Sequence, residues 1–532
     1  MIKEIGYIIT FLAVVESISL ASFPINFYIF KNLKDRGYIF SKASSLLFLA
    51  YLHFLMLTSG AAKYQTASTF LVILTFLMLA SYSFLKNRSE INCFLRESWK
   101  KILYFELLFL ACFVLALAIK MGDPNIINTE KFPDFSIYNR LVNESSFPPL
   151  DNWLSGYNVN YYYIGHLVFA ALTRLTGIPP EYAINLCVVL IFCIIFISAF
   201  SIIYNLTQRF SYSLLSAISL SFLSNLEGLF QLLQGKIQNF DWWSTSRVIK
   251  GTINEFPYFT FLLGDAHSHY MSLPFLLLFV GFTLNFFKEN PARFISLETD
   301  KSYKILGFAF LSLVAGFILS IHPWYYPLCP LLLFLAIFSM SFPSIKSLSR
   351  TITVSLISSF VLIILSAVFF LPFFLNYSAP IGGIGIVPLG LTSEVSEFLT
   401  VFSFPLIFGA IYLAALFKSL IDRKRYPKVI LIIVLLTFTY TVLRPTASNS
   451  LLALIFLFSV YLYAQTKFTN YPLLLFCISL LLLICCENIY LKDNYGFEYL
   501  RMNTVFKFHW IAFAIMFMIT PMPAMTLKPG SA

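Results

Sequence analysis

The sequence predicts an all-α, polytopic integral membrane protein of about 13 to 15 transmembrane helices, and three observations predict it. Hydrophobic residues fill 59% of the 532 positions and charged residues only 11%, against roughly a quarter charged in soluble domains. Apolar runs near twenty residues, the length that crosses a bilayer as a helix, recur from end to end. The net charge of +11 comes from cations scattered between those runs. That is the pattern of cytoplasmic loop bias, so nucleic acid is not an expected partner.

The runs fall near 5–30, 43–60, 67–85 and 102–120, then 181–204, 212–231, 270–287, 305–321, 324–341, 352–375, 399–417, 428–443, 450–464, 471–486 and 507–526. The first is too long for a cleaved signal and lacks a small-residue cleavage site, so it reads as a retained span. Segment 161–176 is shorter, carries Arg174 and ends at Gly177-Ile178-Pro179-Pro180. An interfacial or re-entrant helix suits it better than a span. Three blocks are expected: residues 1–101 as a three-span scaffold bundle, 102–300 as a catalytic-type core with the first long outer loop, and 301–532 as a C-terminal bundle. The eight cysteines lie in spans or, for Cys93, in a basic loop. Neither a disulfide framework nor a thiolate metal site is expected.

Loop charge assigns the sides. Loops near 31–42, 86–101, 288–304, 346–350 and 418–428, with Arg209, Lys467 and Lys528, carry 23 of the 36 basic residues. Alternation of spans puts them on one face, which the positive-inside rule makes cytoplasmic. On the other face lie 121–180, 232–269, 377–398 and 487–506, and every motif with chemical potential falls there.

The first constellation is Glu130-Lys-Phe-Pro-Asp134. Pro133 and Asp134 suit the first turn of a helix, with Phe135, Tyr138 and Val142 following at helical spacing. Asp134 either stabilises that start or faces a cavity as a general base or metal ligand. The second is the tyrosine run 161–163, in which Asn158, Tyr162 and His166 would form one stripe if helical; an interfacial aromatic belt is the competing reading. The third is Gly264-Asp265-Ala-His267-Ser-His269, an acid and two histidines at the start of a span, where ionisable groups are costly unless functional. An extended segment projects all three side chains to one side as a metal site would want, whereas a helix aligns only Asp265 with His269. Metal ligation, acid/base or phosphate hydrogen bonding, and simple interhelical bonding all remain open. The fourth is a set of outer-face cations: Arg247 after Trp242-Trp243, Arg444, Arg501, and Lys507, which shares a helix face with Asn503. Arginine at bilayer level suits a lipid-linked phosphate, and snorkelling is the alternative for Lys507. The glycine-rich loop from Pro380 to Gly390 lacks a phosphate-loop lysine, leaving a mobile lid or a plain loop.

Taken together, Glu130-Lys-x-x-Asp134-Phe, Pro148-Pro149-x-Asp151-x-Trp153, Asn160-Tyr-Tyr-Tyr-x-Gly165, Trp242-Trp243-x-x-Ser246-Arg247, Asn254-Glu-Phe-Pro, Gly264-Asp265-x-His267-x-His269 and Arg501-Met-Asn-Thr-Val-Phe-Lys-Phe508 resemble the Chlor-Arch-YYY membrane proteins. That family is similar in layout to the C-type (GT-C) membrane glycosyltransferases, which take sugars from polyprenyl-phosphate carriers on the outer face. The resemblance implies Asp134 as the essential loop acid and Arg501 as the cation on the carrier phosphate. It implies Asp265, His267 and His269 as a second acidic site or the ligands of a divalent metal ion. Glu130, Asn158, Tyr162, His166, Trp243, Arg247, Asn503 and Lys507 would then contact substrate. Two departures stand out: Ser268 replaces the usual proline between the histidines, and Ile321-His-Pro-Trp-Tyr-Tyr326 carries no acid.

The expected function is therefore a plasma-membrane glycosyltransferase acting at the extracytoplasmic surface on a lipid-linked sugar. The alternatives are a lipid or small-molecule transporter or flippase, and a metal-dependent lipid-phosphate hydrolase.

Overall fold

The structure is a computed structural model that describes residues 2–60, 65–127, 129–143, 146–289, 301–345, 347–379, 382–420 and 426–526. Glu144, Arg293, Lys346, Pro380, Ile381, Arg423, Lys424, Arg425 and Lys528, all singled out in the loops, lie outside the described residues. The chain is almost entirely helical, because a helix is the one open segment that satisfies its own backbone polar groups in lipid. In order the helices are α1 (Ile2–Ile29), α2 (Ser41–Thr58), α3 (Gln65–Lys86), α4 (Arg88–Lys120), α5 (Lys131–Asn143), α6 (Ile164–Thr176), α7 (Pro180–Thr207), α8 (Phe210–Phe222), α9 (Leu226–Leu233), α10 (Pro257–Leu263), α11 (Ser268–Phe287), α12 (Lys301–Ile321), α13 (Leu328–Ile345), α14 (Leu348–Phe369), α15 (Leu371–Phe374), α16 (Val395–Leu420), α17 (Tyr426–Leu443), α18 (Ala447–Gln465), α19 (Tyr471–Asn488), α20 (Met502–Met518) and α21 (Met522–Thr526).

Among the described residues, thirteen helical stretches are long and apolar enough to cross a membrane. The expected span at 212–231 is instead the pair α8 and α9, bent by 75°. The bend has a local cause: Leu223 is extended and the Asn225 side chain caps the new helix by accepting from the Glu227 N–H. The expected span at 428–443 is a shorter apolar helix. The protein is thus an integral membrane protein with many apolar helices.

The chain forms two compact units. Unit 1 comprises residues 1–205 and 261–378, and unit 2 comprises residues 206–260 and 379–532. These do not follow boundaries at 101 and 300. In unit 1, α2 packs on α1, α3, α6 and α11, so the N-terminal helices belong to the same body as the motif-bearing loop. Helices α7 and α11 form its centre and are buried all round, as helices apolar on every face must be. Lys42, grouped with the cytoplasmic loop cations by sequence, instead lies buried in α2. Its Nζ donates to Glu16 of α1 at 2.7 Å and to Glu106 of α4 at 2.9 Å. This triad ties three helices together, the usual requirement for a charge at this depth.

In unit 2, α17 to α20 pack in neighbouring pairs, α16 packs on α18, α20 and α21, and α8 joins them where Ser216 donates to the Met518 carbonyl at 2.6 Å. The glycine-rich loop, described from Gly382 onward, is not plain coil. Residues Ile384–Ile386 (β1) pair antiparallel with Ile489–Leu491 (β2), Ile384 opposite Leu491. Gly385 admits this pairing because a Cβ there would collide with the Tyr490 ring.

Candidate active site

The outer-loop motifs of unit 1 meet at the start of α5. Residues 129–134 are gripped by three side chains from elsewhere in the unit. Thr129 Oγ1 donates to Asp265 Oδ1 at 2.7 Å. Glu130 pairs with His267. Asp134 Oδ1 lies 3.2 Å from His166 Nε2. Thr129 sits at φ 51°, a backbone state uncommon for a β-branched residue and maintained only where surroundings hold it.

Asp134 is 3% exposed. It shares the buried stripe of α5 with Lys131, Tyr138 and Leu141, so the packed face is rotated from the one that Phe135, Tyr138 and Val142 suggest. Its partner His166 is fully buried in α6. Asp134 Oδ2 and His166 Nδ1 have no hydrogen-bond partner among the described residues. Asp134 also lines a cavity of about 190 Å³ together with Glu130, Asp151, Asn152, Trp153 and Tyr161. The Tyr161 phenol is pushed well above its ordinary range, chiefly by burial and then by the charge of Asp134, so it stays protonated.

The tyrosine run is not helical: α6 begins at Ile164. Asn158, Tyr162 and His166 therefore do not form one stripe. Asn158 is exposed in a single bridge with Leu150, Tyr162 faces Tyr377 and His322, and only His166 reaches Asp134. Residues 264–269 are likewise mixed. Asp265 lies outside any helix, His267 is the extended N-cap of α11, and His269 is in its first turn. Gly264 takes φ +74°, and a Cβ there would collide with the Lys120 ammonium, which is why this motif needs glycine. Asp265 and His267 serve Thr129 and Glu130, while His269 is buried with its ring between His267 at 5.1 Å and His322 at 6.3 Å. Among the described residues no group of three His, Cys, Asp or Glu side chains is placed to hold a metal ion, so the proposed ligand triad does not assemble. The side chains go instead to separate partners.

Sequence reasoning missed Thr129, Trp153 and His322. A signal was present for His322: the chain has six histidines, and four of them, His166, His267, His269 and His322, gather in this part of unit 1.

In unit 2 the cations sort differently. Arg501 is 4% exposed and its Nη1 lies 2.8 Å from Glu487, which is fully buried; its Nη2 donates to Ser393 at 2.9 Å. Arg444 donates to the carbonyls of Val387 and Glu487 at 2.8 and 3.1 Å. The carrier-phosphate role implied for Arg501 is thus at odds with its surroundings, where its charge is already neutralised in the core. Asn503 donates to Asp493 at 2.9 Å, and Lys507 lies over the Phe506 ring at 3.6 Å. Arg247 is half-buried, stacked 4.5 Å over Trp243, and 3.9 Å from Glu255. Burial pulls its basicity down and Glu255 partly restores it. Trp243 packs in turn against Phe259.

A family model described as "Uncharacterized membrane protein (DUF2298)" matches residues 48–516, and the chain belongs to that family. No curated protein and no solved structure matches it.

Proposed function

We propose that this DUF2298 member is a glycosyltransferase of the plasma membrane, moving a sugar from a polyprenyl-phosphate carrier to an acceptor at the extracytoplasmic face. One observation carries the reading. Asp134 is a buried carboxylate that lines a cavity and keeps one oxygen, Oδ2, without a partner among the described residues. A buried charge kept at such expense marks a functional group by default.

The step follows from that atom. Oδ2 accepts the proton of the acceptor hydroxyl as its oxygen bonds to the anomeric carbon. The bond from that carbon to the carrier phosphate breaks, and its electron pair leaves with the phosphate oxygen. A cation then stabilises the departing phosphate. Hydrolysis through a metal on Asp265, His267 and His269 lacks comparable support, because those three side chains go to separate partners.

Asp134→Asn in membranes supplied with lipid-linked sugar is expected to lower transfer by about 10²- to 10⁴-fold, the usual contribution of a general base, with expression unchanged. Undiminished transfer would overturn the assignment. Substrate movement in proteoliposomes without a covalent product would favour the transporter reading instead.

A further inference from the structure

We infer that the cavity at Asp134 is a saccharide subsite with Trp153 as its stacking platform. On the transferase reading just given, the acceptor is then itself a neutral sugar or glycan. The inference about the cavity stands on its own geometry; only the word acceptor rests on that reading.

Size comes first. About 190 Å³ is below the range usual for drug-sized ligands, and suits one ring better than a nucleotide or a lipid with its headgroup. Charge comes second. Glu130, Asp134 and Asp151 line the cavity, and no lysine, arginine or histidine is among its described lining residues. A phosphate or uronate entering there would meet carboxylates without a lining counter-charge. Hydroxyls are what such a lining accepts, because ionised carboxylates only accept hydrogen bonds. Asp134 Oδ2 is a buried acceptor lacking a donor among the described residues, and buried acceptors are rarely left so.

Trp153 supplies the second surface. Its backbone is anchored: Asp151 Oδ1 accepts the N–H of Trp153 at 2.7 Å and of Leu154 at 2.8 Å, and Asn152 donates to Ser136 Oγ at 2.6 Å. Trp153 as a whole nevertheless stays 59% exposed beside the equally open Phe132, with ring centroids 6.3 Å apart. The loop thus holds a large aromatic face at the cavity edge with little of it covered. A pyranose matches both surfaces, since its C–H face can stack on indole while its hydroxyl edge donates to the carboxylates.

The test uses purified full-length protein and saturation-transfer NMR with methyl glycosides of glucose, mannose, galactose and N-acetylglucosamine, set against glucose 6-phosphate and methyl glucuronide. At least one neutral glycoside is expected to bind, and Trp153→Ala to weaken it about fivefold to tenfold, the scale of one aromatic contact. Trp153→Phe should retain most of the affinity, and Asp134→Asn should also weaken binding. Trp153 is exposed, so its replacement should leave the fold intact. The inference fails if no neutral glycoside distinguishes the wild type from Trp153→Ala, or if glucose 6-phosphate binds as tightly. Glycoside binding that depends on Trp153 in a protein without transferase activity would keep the subsite and reject the transferase reading.

Discussion

At the scale of single residues, the contact between Asp134 and His166 decides how the carboxylate can act. An ionised carboxylate cannot donate, so His166 must donate through Nε2–H. Its buried Nδ1, without a partner among the described residues, then carries the lone pair, since a second N–H there would be buried and unsatisfied. This tautomer is inferred from hydrogen bonding. The imidazole orients one carboxylate oxygen, and the other, Oδ2, is left without a partner among the described residues. His166 is in this account a positioning residue. His166→Phe is expected to lower kcat for transfer about 10- to 100-fold with KM for lipid-linked sugar unchanged, while His166→Gln, which restores a donor, stays within about fivefold. The double variant with Asp134→Asn should be no slower than Asp134→Asn alone, because the two act as one unit. Equal loss in the Phe and Gln variants would reduce His166 to packing. Asp134 was legible in the sequence as a candidate base. The role of His166 was not, because the contact joins α5 to α6 and no spacing within either helix encodes it.

At the scale of elements, Arg501 and Glu487 explain how the described end of the glycine-rich loop is held. The Ser393 N–H and hydroxyl both donate to Glu487, at 2.8 and 2.6 Å, and Arg444 holds the Val387 carbonyl. The end of α19, the start of α20 and the segment after β1 are thereby locked into one cluster within unit 2. Removing one member of a buried pair strands the other charge. Arg501→Met is therefore expected to destabilise the protein by about 3–5 kcal/mol, read as thermal unfolding in detergent. Arg501→Met combined with Glu487→Leu should recover most of that loss, since replacing both charges by packed apolar groups is often neutral. A wild-type melting curve for Arg501→Met would show that the pair contributes nothing. The sequence marked Arg501 as an outer-face cation running against the charge bias. What it could not reveal was the neutralising partner, which lies across a turn at the end of another helix.

At the scale of the whole molecule, membrane sidedness depends on parity. Thirteen helices are long and apolar enough to cross, fourteen with the bent pair α8–α9, and the sidedness expected from loop charge requires the shorter α17 to cross as well, making fifteen. Under that count every motif-bearing loop returns to one face. The native Cys93 is exposed in the first turns of α4, not in a loop, and the basic segment around it is assigned to the opposite side. An impermeant maleimide applied to intact cells is expected to label Ser155→Cys in a Cys93→Ser background. The native Cys93 should be labelled only after permeabilisation. Labelling of Cys93 in intact cells would reverse the topology.

The sequence alone determined the class of the protein, thirteen of the fifteen expected spans and the candidate acid, because apolar length, helical period and loop charge are local properties of a chain. It erred where neighbouring residues had to be assigned a common conformation, as at Asn158, Tyr162 and His166, since a helix start at Ile164 leaves no mark in periodicity. Only the tertiary structure decided which motifs meet. Thr129 with Asp265 and Glu130 with His267 join positions more than a hundred residues apart, and such pairings depend on how buried helices pack. For the same reason Asp265 and His267, from a motif that suggested a metal site, became a clasp on the residues just before α5, the helix that carries Asp134.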